Sequence, residues 1–269
     1  MSSLPLFGLV LEDTTLQSAS TSIVQDAKLR LRRKIYFINA HCVNVAAKDK
    51  HYLDALSRET LLFADGSGMR LASRLTGRVF RDNVNGTDLF PLVCQDAADV
   101  GVKMAFLGAQ PGIAERCARN MRMQFPNLQV VWVHDGFFQS SDEATLIRSI
   151  NDSGADMLFV AMGVPKQELW IDRNAAQLNV PILLGVGALF DFYSGAVPRA
   201  PLIMRRMGIE WFFRFLVEPR RMFARYWIGN FVFMFRALFR RLQGQGTLQN
   251  APLINNSDQL QQSSIERSK

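Results

Sequence analysis

The chain has 269 residues, 48% of them apolar, and a formal net charge of +7, which excludes a disordered polypeptide and leaves room for one large core with an appendage. Its three cysteines, Cys42, Cys94 and Cys117, lack a CxxC pairing; this argues against a disulfide framework or a cysteine zinc cluster and fits a reducing, cytoplasmic setting. The opening MSSLPLFGLVLEDTTLQ has no basic start and meets Glu12 and Asp13 early, unlike a secretory signal.

Strands are predicted at 34–40 (KIYFINA), 59–64 (ETLLFA), 102–108 (VKMAFLG), 128–134 (LQVVWVH), 156–163 (DMLFVAMG) and 180–187 (VPILLGVG). Helices are predicted at 44–57, from Met69 onward, and at 87–99, 112–124, 142–153 and 166–177. Continuous apolar strands alternating with helices imply the α/β class, with a Rossmann-like, mostly parallel sheet covered by helices on both faces.

In LLFADGSGMRLASRL, Asp65 sits where a strand gives way to a helix. Such strand ends form the ligand crevice of open α/β sheets, and an aspartate there also serves as a helix cap; both readings stand at this point. Gly108-Ala-Gln-Pro-Gly112 opens a helix and offers free N–H groups to a phosphate, without GxGxxG spacing. Gly136, Gly163-Val-Pro-Lys-Gln167 and Gly185-Val-Gly187 follow the next three strands. Each alone is an ordinary loop; repeated at successive strand ends, they outline a nucleotide-sized crevice. There is no Walker A loop, GxSxG, HExxH or paired-cysteine metal site, and His41, His51 and His134 are scattered. Neither a metal nor a cofactor is expected.

The positive charge is local. From Arg199 to Leu242 the chain has ten arginines, no lysine and two glutamates, a net +8, so the remainder carries −1. Aromatic and aliphatic residues alternate with the arginines at helical spacing, and Glu218-Pro219 marks a break between two helices. The longest charge-free stretch, Tyr226 to Phe235, has ten residues, about half of the roughly 20 that span a bilayer. An arginine-rich amphipathic helix suits an anionic membrane surface; a helical hairpin packed on the core or on another subunit is the alternative. Nucleic acid is not the expected partner, because the aromatics fall within long apolar stretches where a solvated basic face would be needed. The expected division is an α/β domain at 1–200, a basic amphipathic appendage at 201–242 and a disordered Gln/Asn/Ser-rich tail at 243–269.

FADGSGMRLA, NVNGTDLF, FLGAQPG, HDGFF, FVAMGVPKQELWI, GVGALFDFYSG and VPRAP occur in the order and spacing of the WecG/TagA/CpsF glycosyltransferases, which the chain resembles over about residues 5 to 228. The resemblance implies inverting, metal-independent hexosyl transfer from a UDP-sugar to a polyprenyl-diphosphate-linked saccharide. The setting it implies is exopolysaccharide or cell-surface glycan synthesis, peripheral to the cytoplasmic face of a bacterial inner membrane, with a homo-oligomer left open. By motif, Asp65 is the catalytic base, with His41 as the alternative. Gln167 is a pocket amide for the sugar, with Lys166 serving structure or the phosphates. Gly108, Gly136, Phe137, Gly187 and Asp191 belong to the nucleotide part of the cleft. Arg214, Arg221 and Arg225 fall at family-like positions, Arg221 to stabilise the leaving diphosphate and the other two to bind it. Asn39-Ala40-His41 stands where many members have Thr-Pro/Ala-Asn, so Asn39 takes the place of a sugar-binding threonine, and Asn83 replaces a frequent arginine. The combination of NA-C-VN, DNVNGTDLF, LFDFYSG and EPRRM resembles most the GumM-type branch, which implies UDP-glucose as donor, with UDP-N-acetylmannosamine or its uronic acid as the alternative.

Overall fold

Met104 and Phe106 of one strand face one apolar cluster while Ala105 and Leu107 face another, the period-two pattern of a strand buried on both faces. That strand belongs to a single sheet of eight in the computed structural model, which describes residues 2–58, 60–201, 203–204, 207, 209–217 and 229–242. The described elements run β1 (Ser2–Leu6), β2 (Leu9–Asp13), α1 (Leu16–Lys28), β3 (Arg33–Ile38), α2 (Ala40–Ala46), α3 (Lys50–Ser57), β4 (Thr60–Ala64), α4 (Ser67–Leu75) and α5 (Gly86–Val100). They continue with β5 (Lys103–Gly108), α6 (Ile113–Gln124), β6 (Gln129–His134), α7 (Glu143–Asp152), β7 (Met157–Ala161), α8 (Lys166–Asn174), β8 (Ile182–Gly185), α9 (Leu189–Tyr193), α10 (Glu210–Val217) and α11 (Gly229–Leu242).

The strand order is β1-β2-β4-β3-β8-β7-β5-β6. Only β1 and β2 pair antiparallel; every other pairing is parallel. Helices α2, α3, α4, α7 and α8 cover one face, and α1, α5, α6 and α9 the other. The predicted α/β class, with a mostly parallel sheet between two helical layers, is the observed one.

Several boundaries differ from the sequence reading for local reasons. The predicted helix at 44–57 is two helices and begins earlier. Asn39 caps α2 by accepting from the backbone N–H groups of His41 and Cys42, which ends the preceding strand at Ile38. Asp49 caps α3 by accepting from Tyr52 N. The hairpin β1–β2 was not foreseen; its two-residue turn, Phe7-Gly8, has both residues at positive φ, 55° and 81°, as tight hairpin turns require.

The last helix is part of the core. Phe233 and Ala237, one helical turn apart, are 1% and 2% exposed and join the cluster that contains α2 and α4. The Phe233 ring lies 5.0 Å from that of Phe7, and Asn44 Nδ2 donates to Gly229 O at 2.7 Å. This contact packs α11 on the core and leaves its Val232, Phe235 and Leu238 exposed. No helix among the described residues is long and apolar enough to cross a membrane. The expected break at Glu218-Pro219 and the tail at 243–269 lie outside the described residues.

Because Phe233 fills a fully buried position, Phe233→Ala is expected to destabilise the protein by about 3–5 kcal/mol, read as a lowered urea midpoint. An unchanged midpoint would show that α11 contributes nothing to the core.

Candidate active site

Parallel pairing sends the carboxyl ends of β4, β3, β8, β7, β5 and β6 to one edge of the sheet, in that order. Asp65 follows β4, Asn39 and His41 follow β3, Gly187 and Asp191 follow β8, Gly163 and Gln167 follow β7, Gly108 ends β5, and Gly136 and Phe137 follow β6. At roughly 4.8 Å per strand, the row spans about 24 Å. After β5 the chain turns to β6 on one side, and after β7 to β8 on the other, so the crevice of a topological switch point opens between β5 and β7.

Asp65 continues the β3–β4 ladder, its N–H donating to Ile38 O at 2.9 Å. The capping position of α4 is Gly66, at φ 92°, which has no side chain to cap the helix. Asp65 thus stands one residue before the capping position, a half-buried carboxylate at a strand end. Gly66 N donates to Asn83 Oδ1 at 2.8 Å, so the residue in the place of the frequent arginine holds the turn that follows Asp65. Asn39 and His41 stand beside it, on the neighbouring strand end.

The helices that directly follow β4, β5, β7 and β8 (α4, α6, α8 and α9) begin at capping residues that make no side-chain bond, as does α7, whereas α1, α2, α3 and α5 are capped by Thr15, Asn39, Asp49 and Asn85. Uncapped first-turn N–H groups at the carboxyl edge suit an anion.

Three candidate residues serve the backbone. Gly108, at φ 131°, packs so closely that a Cβ would lie 2.5 Å from Ala161 O. Gly136 donates to Ala109 O at 3.0 Å, and a Cβ there would meet Gly108 and Ala109 at 3.3 Å. These glycines let the β5, β6 and β7 loops approach one another. Asn39 commits Oδ1 to the α2 cap, which leaves its amide nitrogen to meet a ligand.

Gln167 needs a correction. It is 2% exposed, and its Oε1 accepts from Gly163 N at 3.1 Å and Gly187 N at 2.9 Å while its Nε2 donates to Glu168 Oε1 at 2.8 Å. The amide braces two loops from below and is not presented to a sugar. Gly185 has no side chain for the same reason, since a Cβ would meet Tyr36 at 2.9 Å and Gln167 Nε2 at 3.1 Å.

Phe137 is 61% exposed at the β6 end of the row, its backbone turned by a bond from Phe137 N to Asp135 Oδ1 at 2.8 Å. Asp191 lies within α9, half-buried, and does not cap it. Lys166 opens α8 with its Nζ 6.0 Å from the centroid of Phe138. Arg214 lies in α10; Arg221 and Arg225 lie outside the described residues.

Two residues escaped the sequence reading. Arg199 of VPRAP pairs with Asp88 in the first turn of α5 and approaches Glu210 of α10 at 3.9 Å, tying the start of the basic segment to the domain. Glu168 is 2% exposed, its Oε2 has no hydrogen-bond partner, and burial pushes its carboxyl up to about 7 against the opposing pull of the Gln167 bond. Its signal in PKQE was masked, because an acid in a helix's first turn is ordinarily read as a solvated complement to the dipole.

A mostly parallel sheet with its candidate groups gathered along the carboxyl edge defines a Rossmann-like α/β protein. The glycosyl transferase WecG/TagA/CpsF family profile matches residues 4–247, and the chain belongs to that family. An N-acetylglucosaminyldiphosphoundecaprenol N-acetyl-beta-D-mannosaminyltransferase of Bacillus subtilis (strain 168) is 30% identical to it over 184 residues, 68% of this chain and 71% of that protein. The protein of the same name from Staphylococcus aureus (strain NCTC 8325 / PS 47) is 32% identical over 184 residues, with the same shares. Both names specify an N-acetylmannosaminyl group, so the expectation of a glucose donor finds no support in these relatives.

A carboxyl with a raised pKa holds its proton in the folded state after the unfolded chain has lost it. Its stabilising contribution is full below about 4.5 and is lost as pH rises through about 7. Glu168→Gln has the shape of the protonated acid and does not titrate. From pH 5 to 8 the variant's stability is expected to gain on the wild type by up to about 3 kcal/mol, measured by urea denaturation at each pH. A gap independent of pH would show an ordinary carboxyl.

Proposed function

We propose that the chain transfers a hexosyl unit, with inversion, from a UDP-sugar to a saccharide carried on a polyprenyl diphosphate, and that Asp65 is the base. The observation that carries this reading is Asp65, half-buried at the carboxyl end of β4 and beside the Asn39–His41 strand end. As the acceptor hydroxyl oxygen bonds to the sugar's anomeric carbon, the bond from that carbon to the UDP oxygen breaks and Asp65 receives the hydroxyl proton. An aspartate is a weak base near neutrality, so positioning and stabilisation of the leaving diphosphate supply much of the rate. The uncapped starts of α4, α6 and α8 offer N–H groups for that purpose. Arg221, with Arg214 and Arg225, adds positive charge in this reading.

For the donor, the relatives' names favour UDP-N-acetylmannosamine. The exchange of threonine for Asn39 weighs little against it, because asparagine and threonine are both helix-capping residues and Asn39 caps α2. The net +8 of residues 199–242 and the exposed Ile203, Met207, Leu216 and Phe235 support residence at an anionic membrane surface, the cytoplasmic face where a lipid-linked acceptor is elongated.

Asp65→Asn is expected to keep the fold and UDP binding while lowering UDP release in the presence of a synthetic polyprenyl-diphosphate acceptor by roughly 10²-fold or more. Near wild-type release would pass the base role to His41. In the same assay, UDP-N-acetylmannosamine is expected to turn over faster than UDP-glucose or UDP-N-acetylglucosamine; a preference for UDP-glucose would restore the GumM-type assignment.

A further inference from the structure

Beneath the carboxyl edge lies a set of buried polar atoms that the transfer reaction, as derived above, does not use. Gln167 and Glu168 are adjacent in α8, both 2% exposed. The Gln167 amide spans three groups: Gly163 N of the β7 loop, Gly187 N of the β8 loop, and Glu168 Oε1. Near Glu168 are the hydroxyls of Tyr36 from β3 and Tyr52 from α3; the Tyr36 hydroxyl is buried without a hydrogen-bond partner, as is Glu168 Oε2, and Tyr52 lies against Cys42. The charge of Glu168 acts on both phenols.

We propose that Glu168 is a positioning residue for the transferase, fixing the Gln167 amide so that the β7 and β8 loops are held at the spacing the donor cleft requires. Gln167 Oε1 carries both loop N–H groups only while Nε2 points the other way, into the interior. Without an acceptor there, Nε2 would be a buried unpaired donor, which is costly, and the side chain would turn to satisfy it at the expense of the loops. Glu168 Oε1 supplies that acceptor. The protonated carboxyl is the form suited to the site: its carbonyl oxygen still accepts from Gln167, while the Oε2 hydroxyl can donate toward a tyrosine oxygen. Other titratable groups around this interior are Cys42 of α2, which acts on Tyr52, and Asp172 of α8, which acts on Tyr36 and is paired with Lys34 at 2.7 Å.

The inference rests on the transferase reading for its kinetic consequence but not for the clamp itself, and the test keeps the two apart. In full-length protein, Glu168→Met is expected to speed hydrogen exchange at the Gly163 and Gly187 amides at least tenfold and to raise the donor KM severalfold, with the acceptor KM unchanged. Glu168→Gln, which retains an acceptor for Gln167 and a donor toward the tyrosines, is expected to recover most of both losses. Glu168→Asp, which withdraws the acceptor by one methylene, carries the same expectation as Glu168→Met and serves if that variant does not fold. Wild-type exchange at both glycines in Glu168→Met or Glu168→Asp would overturn the clamp. Faster exchange with donor and acceptor KM values altered equally, or not at all, would overturn the positioning role. If the wild type released UDP from no donor, the transferase reading would fail, while the exchange measurement would still decide the clamp.

Discussion

Parallel pairing is the constraint on which the rest of the molecule depends. A parallel strand cannot be reached by a tight turn, so each step between strands needs a crossover, and the crossovers supply the helices that bury both faces. The same rule points every strand from β2 to β6 in the sheet order the same way, and so collects Asp65, Asn39, Gly187, Gly163, Gly108 and Gly136 on one edge. No one of these residues needs its neighbours in sequence to find the others. Register does that work, as when Phe37 pairs with Phe63 and Ile38 with Ala64, setting the Asn39 and Asp65 strand ends side by side.

On that edge several polar groups hold the loops. Asn39 Oδ1, Asn83 Oδ1 and Gln167 Oε1 each accept backbone N–H groups, so amide side chains give the strand-end loops their shape. Gly108 and Gly136 do the same by omission, removing atoms where two backbones meet. On the same edge stand Asp65, His41, the exposed Phe137 and the starts of α4, α6, α8 and α9, whose capping residues make no side-chain bond.

Fold class and strand positions were legible in the sequence because each buried strand is a short, continuous apolar run between turn residues. The α2–α3 split was written in Asn39 and Asp49, both capping residue types, but hidden by the helical apolar spacing that runs through 44–57. The first hairpin was harder, since Leu4, Leu6, Leu9 and Leu11 carry a pattern too short to separate from a generic apolar start. For the site, motif spacing picked out Asp65 and the glycines correctly as strand-end residues. It could not assign Gln167, because its partners lie in two loops, one of them beyond the next strand. Nor could it find Glu168, whose burial depends on helix α8 packing its Gln167-Glu168 face onto the sheet.

The contact between Phe7 and Phe233 joins the first hairpin to the last described helix, across nearly the whole length of the chain. During synthesis the hairpin, α2 and α4 emerge long before α11 exists, so the apolar surface that Phe233 covers stays bare until α11 is made. Closing a contact of such sequence separation is slow and comes late. Until that helix docks, the seam it fills, next to Gly68 just after Asp65, is bare apolar surface, of the kind that invites aggregation.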